Sequence, residues 1–485
     1  MEERGAEHRE AAVLTQPPLV VDLDRTLLRT DASTESVMVL ARTDPFALPG
    51  LAWALLRGRA HAKRRLADAA LPDVATLPYR EDLLEYLTEQ KRGGRTLVLA
   101  TDADARVAHA VARRLGLFDV VLASDGTTNL RGTAMARALI ERFGARGFDY
   151  VGGSNADLPA WQAARAAIVV GAACRFAARI ARTTPIERAF DDPRPRWPRY
   201  VQALRPHHWI KNALVLVPLA TTSAALAPSA FLHASLAFAA FSLCASSVYL
   251  VNDLLDLGAD RRHPSKRHRA LASGAIPLRR ALAAVPLLLA AAFTIAHALP
   301  AAFSVALVAY FALTTVYSLG LKDIAVVDVL WLAVGYALRV AAGAFAIGAR
   351  PSAWLLAVCI FLFLSLALVK RYTELSRLQA DTGGAARARG YDSGDKTLIL
   401  VQGIASGYLS VLLLALYVHV DIPAALHARR ELFWIVCVLL LAWLNVAWFA
   451  AARGRMHDDP VTFALTDPVS LALLIVMAGI ALFAL

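Results

Sequence analysis

"NDLLDLGADRRHPSKRHRALASG" (252–274) is a polar island between two long apolar runs, one ending in "CASSVYLV" (244–251) and one beginning near residue 280. Asn252, Asp256 and Asp260 stand four residues apart. At about 100° per residue each step of four drifts only some 40°, so a helix would carry all three on one face. Asp253 lies one residue round from Asn252. Carboxylates at the end of an apolar segment are costly and as a rule face a cavity. Oxygen donors grouped this way suit a hard cation such as Mg²⁺ on a diphosphate; the plain alternative is a polar helix end in a loop. Arg261, Arg262, His263, Lys266, Arg267 and Arg269 follow at once.

Outward from this island the chain divides by composition. It has 485 residues, 57% of them hydrophobic, and a formal net charge of +12. Its length suggests two or more domains. Residues 1 to about 200 read as a soluble α/β domain. From residue 211 apolar stretches long enough to cross a bilayer recur. Nine are expected, near 211–228, 231–251, 280–298, 300–320, 324–347, 352–370, 397–418, 431–452 and 467–485. Lys and Arg concentrate between alternate stretches, in 261–269, at Lys322, in 370–396 and at Arg453 and Arg455, with Arg429 and Arg430 breaking the pattern. The basic loops and the N-terminal domain are therefore expected on the cytoplasmic side of a bacterial inner membrane, as a multi-pass protein. Residues 1–12 are charged and carry no signal-peptide pattern. The basic charge has a topological explanation, so no nucleic acid partner is expected. Cys174, Cys244, Cys359 and Cys437 are isolated and fit neither a metal spacing nor a disulfide framework.

In the soluble part, "PLVVDLDRTLLRTD" (18–31) is an apolar strand that ends in Asp22-Leu23-Asp24-Arg25-Thr26. A strand followed by DxDxT resembles the signature of haloacid dehalogenase-like phosphatases. The resemblance implies a doubly wound parallel sheet, Asp22 as nucleophile and Asp24 as general acid and base. Thr101, closing the second strand "RTLVLATDAD" (95–104), matches the phosphate-binding position, and Asp157 in "FDYVGGSNADLP" (148–159) the metal-binding one. Segment 33–93 is helical and would be the cap. The chain departs from the pattern twice. No lysine lies between Lys91 and Lys211, so Met135 stands where a lysine is expected, with Arg131 or Arg137 as substitutes. Gly153 stands where a first acidic residue is expected. Phosphatase activity stays open. The expected bounds are 1–181 for this domain, 182–204 for a Pro- and charge-rich linker, and 205–485 for an all-α membrane domain.

The membrane part resembles the UbiA superfamily of intramembrane prenyltransferases, whose first aspartate-rich motif matches Asn252, Asp256 and Asp260. The usual second motif is altered: Asp323 and Asp328 are five apart and so about 140° round a helix from each other. With "RPHHWIKN" (205–212), "YSLGLKDIAVVD" (317–328) and "KRYTEL" (370–375), the pattern is similar to the decaprenyl-phosphate phosphoribosyltransferase branch. That resemblance implies Mg²⁺ as cofactor, phosphoribosyl diphosphate as donor and polyprenyl phosphate as acceptor. Asn252, Asp253, Asp256 and Asp260 would be catalytic, the first, third and fourth of them holding the metal. Arg262, His263, Lys266, Arg269, Tyr317, Lys322, Asp323, Asp328, Lys370 and Glu374 would line the substrate site, and Lys211 and Arg339 would hold the acceptor phosphate. An isolated Arg339 within an apolar stretch needs a partner or a function. Arg261 and Arg267 read as membrane-side anchors. Two alternatives remain at this level: a prenyltransferase moving an allylic chain to an aromatic acceptor, and a non-enzymatic membrane scaffold. The sequence does not fix the oligomeric state.

Overall fold

The computed structural model describes residues 16–191, 197–222, 227–382, 387–388, 390–421, 430–456 and 460–484. The chain forms two compact units. One comprises the residues up to Ala203 together with Leu250–Ala283; the other comprises Leu204–Tyr249 and Ala284–Leu485.

The first unit is built on six parallel strands: β1 (Leu19–Val21), β2 (Leu97–Asp104), β3 (Val120–Ser124), β4 (Asp149–Gly152), β5 (Ala167–Val170) and β6 (Ile186–Phe190). Their order is β3-β2-β1-β4-β5-β6. Parallel sheets are covered on both faces, which is why β1 and β5 read as unbroken apolar runs. Leu19 and Val21 face a core with Leu83, Leu87 and Val111. Val20 faces the opposite core with Leu139, Phe148 and Trp161. Leu19 registers with Leu97 on one side and Asp149 on the other. The order therefore reverses at β1, and the crevice beyond the carboxyl ends of β1, β2 and β4 is the place where such sheets bind ligands.

Two expected boundaries shift. Strand β6 lies inside the expected linker: its middle residues are exposed, as an edge strand allows, so its charges hid it. Residues 192–196 of that linker lie outside the described residues. The segment expected as cap is helical, but its last helix, Glu81–Arg92, packs on the sheet through Leu83, Tyr86 and Leu87. Only the helices from Ala32 to Ala69 form a separate layer, around Leu40, Leu66 and Ala70.

Among the described residues seven helices are long and apolar enough to cross a membrane, or eight if a bent pair counts as one span. That pair, Pro460–Thr466 and the helix from Pro468, bends by 84°. The first of the nine expected spans falls outside this count. Residues Pro206–Ala220 form a 15-residue 3-10 helix with Pro at its start and Pro218 inside, and residues 223–226 lie outside the described residues. Proline lacks the donor that a continuous α-helix requires. This segment lies close against helix Val327–Ala346: a Cβ on Gly343 would fall 2.0 Å from the Val215 carbonyl oxygen, so only glycine fits there.

Candidate functional site

Helix Ala230–Leu255 ends one residue before Asp256, and a short helix resumes at Leu257 and runs to Arg262. The four-residue spacing survives in the backbone, since the Asp256 N–H donates to Asn252 O and the Asp260 N–H to Asp256 O, each at 2.8 Å. The side chains nevertheless part. Asp256 accepts from Arg42 at 2.6 Å. Arg269 Nη1 donates to Asp260 at 2.7 Å and to Asp253 at 3.4 Å. The ladder of Asn252, Asp256 and Asp260 is thereby corrected: the carboxylates brought together are Asp253 and Asp260, both buried and seven residues apart, two full helical turns. Asn252 Oδ1 is buried and lacks a hydrogen-bond partner. Among the described residues no three His, Cys, Asp or Glu are grouped to hold a metal. A buried amide oxygen without a partner and two buried carboxylates are nonetheless the hard-oxygen donors that Mg²⁺ takes, so the chemistry of the donor set fits the ion.

The basic cluster is not uniform. Arg269 faces the carboxylates as expected. Arg262 instead donates to Asp73 at 2.8 Å, and that bond is the main reason the Asp73 carboxyl is held below its usual range. His263 Nδ1 accepts from the Ser265 N–H at 3.3 Å, turned toward its own loop. Lys266 opens the half-turn Lys266–His268 and is half-buried. Arg261, expected as a membrane-side anchor, has its side chain largely covered, donating from Nε to Ala272 O at 2.8 Å and from Nη1 and Nη2 to the two Glu35 oxygens at 3.0 and 2.7 Å. Arg267 is exposed, its Nε 3.2 Å from His268 Nε2.

At the crevice of the parallel sheet lies a cavity of about 450 Å³. Asp22 and Asp24 leave β1 on a tight turn in which Arg25 has φ 59°. Thr26 Oγ1 donates to Asp22 at 2.7 Å, and the Ala32 N–H to Asp24 at 2.7 Å. Asp157 Oδ2 accepts from the Gly153 and Ser154 N–H groups at 3.1 and 2.8 Å. Burial, then the neighbouring charges of Asp157 and Asp24, pushes the Asp22 carboxyl well above its ordinary value. Burial, then Asp31 and Asp102, does the same to Asp24. Burial also raises Asp157, against the hydrogen bonds from Ser154 and Gly153. Thr101 is fully buried, its Oγ1 accepting from the Ala103 N–H at 3.0 Å.

A lysine does reach this cavity, from the helical segment that precedes β2. Lys63, on helix Arg59–Ala69, lines this cavity with its Nζ 3.0 Å from Asp102. Met135 also lines it, Arg131 Nε stands 3.7 Å from Asp102, and Arg137 is exposed on the surface. Sequence reasoning missed Lys63 because it sought the cation in one stretch. Gly153 cannot be acidic here: a Cβ would fall 2.2 Å from the Arg25 carbonyl oxygen.

In the helical unit, Arg339 is buried and held by protein groups. Nε donates to Asn212 at 3.0 Å, Nη1 to Gly335 O at 2.8 Å and Nη2 to the Tyr310 hydroxyl at 3.0 Å. Its guanidinium also lies over the Tyr310 and Tyr336 rings. These bonds make it a brace between segments. Asp323 and Asp328 separate as their spacing requires: Asp323 is exposed at the end of the turn Leu321–Asp323, while Asp328 is buried. Asp328 accepts from Arg371 Nε at 2.5 Å and from the Tyr391 hydroxyl at 2.8 Å, and Arg371 also pairs with Glu374. Arg371, absent from the expected set, is the centre of this group, and its Nη2 is buried without a hydrogen-bond partner. Lys211 is half-buried in the segment Pro206–Ala220; Tyr317 and Lys322 flank the end of helix Ala301–Leu319, and Lys370 precedes Arg371 on helix Ala353–Thr382.

The model of the UbiA prenyltransferase family matches residues 215–483. An uncharacterized protein of Sinorhizobium fredii, y4nM, is 34% identical over 457 residues, covering 93% of this chain and 88% of that protein. The decaprenyl-phosphate phosphoribosyltransferase of Mycolicibacterium smegmatis is 39% identical over 191 residues, covering 39% of this chain and 60% of that enzyme. A UbiA homolog from Archaeoglobus fulgidus, solved with DMAPP and Mg²⁺, superposes with a TM-score of 0.43 at 17% identity, over 58% of this chain and 99% of that one.

Proposed function

We infer the function from one premise: the chain belongs to the UbiA prenyltransferase family. Within that family of membrane transferases we propose a polyprenyl-phosphate phosphoribosyltransferase. It takes the 5-phosphoribosyl group from phosphoribosyl diphosphate, passes it to a polyprenyl phosphate and releases diphosphate. The observation that carries this reading is the 39% identity over 191 residues with an enzyme named for that transfer.

The geometry is compatible with it. Asn252, Asp253 and Asp260 are the donors that would hold Mg²⁺, while Asp256 is engaged by Arg42. Bound there, the ion would offset charge on the departing diphosphate. Arg269 already neutralises two of these carboxylates and is placed to meet a phosphate, with Lys266 and Arg262 on the same short loop. The C1–O bond to diphosphate breaks and a C1–O bond to the lipid phosphate forms. Because the acceptor oxygen is already anionic, no side chain needs to remove its proton, and catalysis rests on orientation and charge. Within the helical unit the proposed phosphate contacts are Lys211, Lys322 and Arg371 Nη2, which is buried without a hydrogen-bond partner, with Tyr317, Asp323, Lys370 and Glu374 as further proposed site residues.

The test is label transfer. Membranes bearing the protein, Mg²⁺, polyprenyl phosphate and radiolabelled phosphoribosyl diphosphate should move label into the organic phase, and Asp260→Asn should abolish it. Label moving only from an allylic diphosphate to an aromatic acceptor would replace this reading with an ordinary prenyltransfer.

For the sheet unit we propose a haloacid dehalogenase-like phosphate-ester site. Lys63 beside the strand-tip carboxylates favours it, since it supplies the cation that the local sequence lacked. The transferase product bears a phosphate monoester at its 5-position, and a fused hydrolase would meet it at high effective concentration. Phosphate release that persists in Asp22→Asn would sink this part.

A further inference from the structure

We propose that Glu35 and Arg42, on the N-terminal helix Ala32–Thr43, are positioning residues for the aspartate-rich segment, so that the sheet unit is part of the transferase machinery. The proposal rests on the transferase reading above only for its activity arm. Residues 250–283 and the sheet share one compact unit. Within it, three carboxylates of the N-terminal part, one on helix Ala32–Thr43 and two on the turns flanking the helical layer, meet three arginines of the segment: Glu35 with Arg261, Asp31 with Arg279 and Asp73 with Arg262. A fourth pair runs the other way, Arg42 to Asp256.

These pairs are not equal. Arg262–Asp73 and Arg42–Asp256 are largely exposed, and exposed pairs contribute little stability. Glu35 and Arg261 are both buried, with side chains 4% and 7% exposed, and the contact is a two-bond fork. A buried charge left without its partner is strongly destabilising, so each of the two fixes the other.

Arg261 in turn holds the loop that follows it. Its Nε reaches Ala272 O, which ties the start of the loop to its end. Between those points lies Arg269, the cation that bridges Asp253 and Asp260. The loop leaves through Gly274, at φ 71°, where a Cβ would fall 2.8 Å from the Arg29 Cβ. The exit therefore lies flat on the N-terminal chain. The order of dependence is Glu35, then Arg261, then the loop 261–272, then Arg269 and the two aspartates. Arg42 acts separately, by holding Asp256 away from that pair.

The experiment uses the full-length protein in detergent or nanodiscs, with amide hydrogen exchange of peptides over 256–276 and transfer activity measured side by side. Glu35→Gln keeps the shape and removes the charge. Its expected result is at least tenfold faster exchange over 256–276, unchanged protection of β1 and β5, and at least a tenfold loss in kcat/KM. The double variant Glu35→Arg with Arg261→Glu should restore most of both, which a merely bulky contact would not explain. Arg42→Ala, at an exposed pair, should keep the fold and lower transfer by about threefold. If Glu35→Gln also lost the β1 and β5 protection, Arg42→Ala alone would decide, and wild-type transfer and exchange in it would overturn the proposal. Unchanged exchange and transfer within twofold of wild type in both single variants would do the same. If the wild-type protein transferred no phosphoribosyl group, the function assignment would fail while the exchange arm still decided this one.

Discussion

Arg339 shows how a residue's partners decide its meaning. An arginine in an apolar helix reads as functional, yet three of its nitrogens are engaged by Asn212, Gly335 and Tyr310. Removing the guanidinium leaves Asn212 Oδ1 and the Tyr310 hydroxyl without this partner in a buried site, and each neutral group so left costs about 1–3 kcal/mol. Arg339→Met should therefore lower the thermal stability of the detergent-purified protein by many degrees, while kcat/KM per folded molecule stays within about threefold. A large rise in the KM for the lipid acceptor with stability intact would return Arg339 to the substrate site. Asp22 is the opposite case, a charge the fold tolerates at a cost. Its carboxyl, like those of Asp24 and Asp157, is pushed up by burial. The folded chain then holds protons that the unfolded chain has released, so the stability of the sheet unit declines as pH rises from about 4 toward the raised folded values. It recovers as pH falls back through that window. Asp22→Asn keeps an acceptor for Thr26 and removes one repelling charge, so at neutral pH it should raise the melting temperature of this unit by about 2–4 °C for each kcal/mol gained. Trp161 fluorescence would report it; an unchanged or lowered transition would mean the carboxylate cluster is not strained.

Elements were legible where their signal is local and hidden where it is not. Strands β1, β2 and β4 are short apolar runs and most of the membrane helices are long ones, so pattern and length marked them, whereas β5, equally apolar but only four residues long, was not anticipated. Strand β6 was hidden because an edge strand with exposed Glu187 and Arg188 looks like a charged linker. The break at Asp256 was equally hidden: the four-residue spacing is real in the backbone, but the turn of the chain there sends Asp256 toward Arg42 and leaves Asp253 with Asp260. Partners far away in sequence carry no local signature at all, as with Lys63 beside Asp102 or Arg371 beside Asp328. Gly153 had a visible absence of charge whose cause lies 128 residues back, at the Arg25 carbonyl. Gly153→Ala tests that cause. The added Cβ would overlap the Arg25 oxygen, and relieving the overlap must move either the DxDxT turn or the end of β4. A loss of about 1–3 kcal/mol or more is expected, with phosphate release falling at the same time. Wild-type stability and hydrolysis in this variant would show that the turn yields freely.

At the scale of the whole chain the distribution of charge becomes a statement about orientation. Helix Leu278–His297 has 20 residues, which at 1.5 Å per residue is about 30 Å, the thickness of a bilayer core. Its N-terminal approach carries Arg261, Arg262, Lys266, Arg267 and Arg269, whereas residues 298–300 at the other end contain no Lys or Arg. The same contrast recurs at Lys322 and at Arg453 and Arg455, and cytoplasmic loops are the ones that hold such an excess. The 261–269 loop should therefore face the cytoplasm, where phosphoribosyl diphosphate would be available. Single-cysteine labelling decides it. In a Cys174→Ser background the described structure keeps Cys244, Cys359 and Cys437 buried, so an introduced thiol dominates the signal. His268 and Ala298 are both exposed and lie at opposite ends of the span. A membrane-impermeant maleimide should label His268→Cys in inside-out vesicles and Ala298→Cys in intact cells. Labelling of both from one side would mean that this helix does not span. Labelling with the two sides exchanged would place the aspartate-rich loop outside, away from a soluble phosphorylated donor, and would remove the proposed transfer with it.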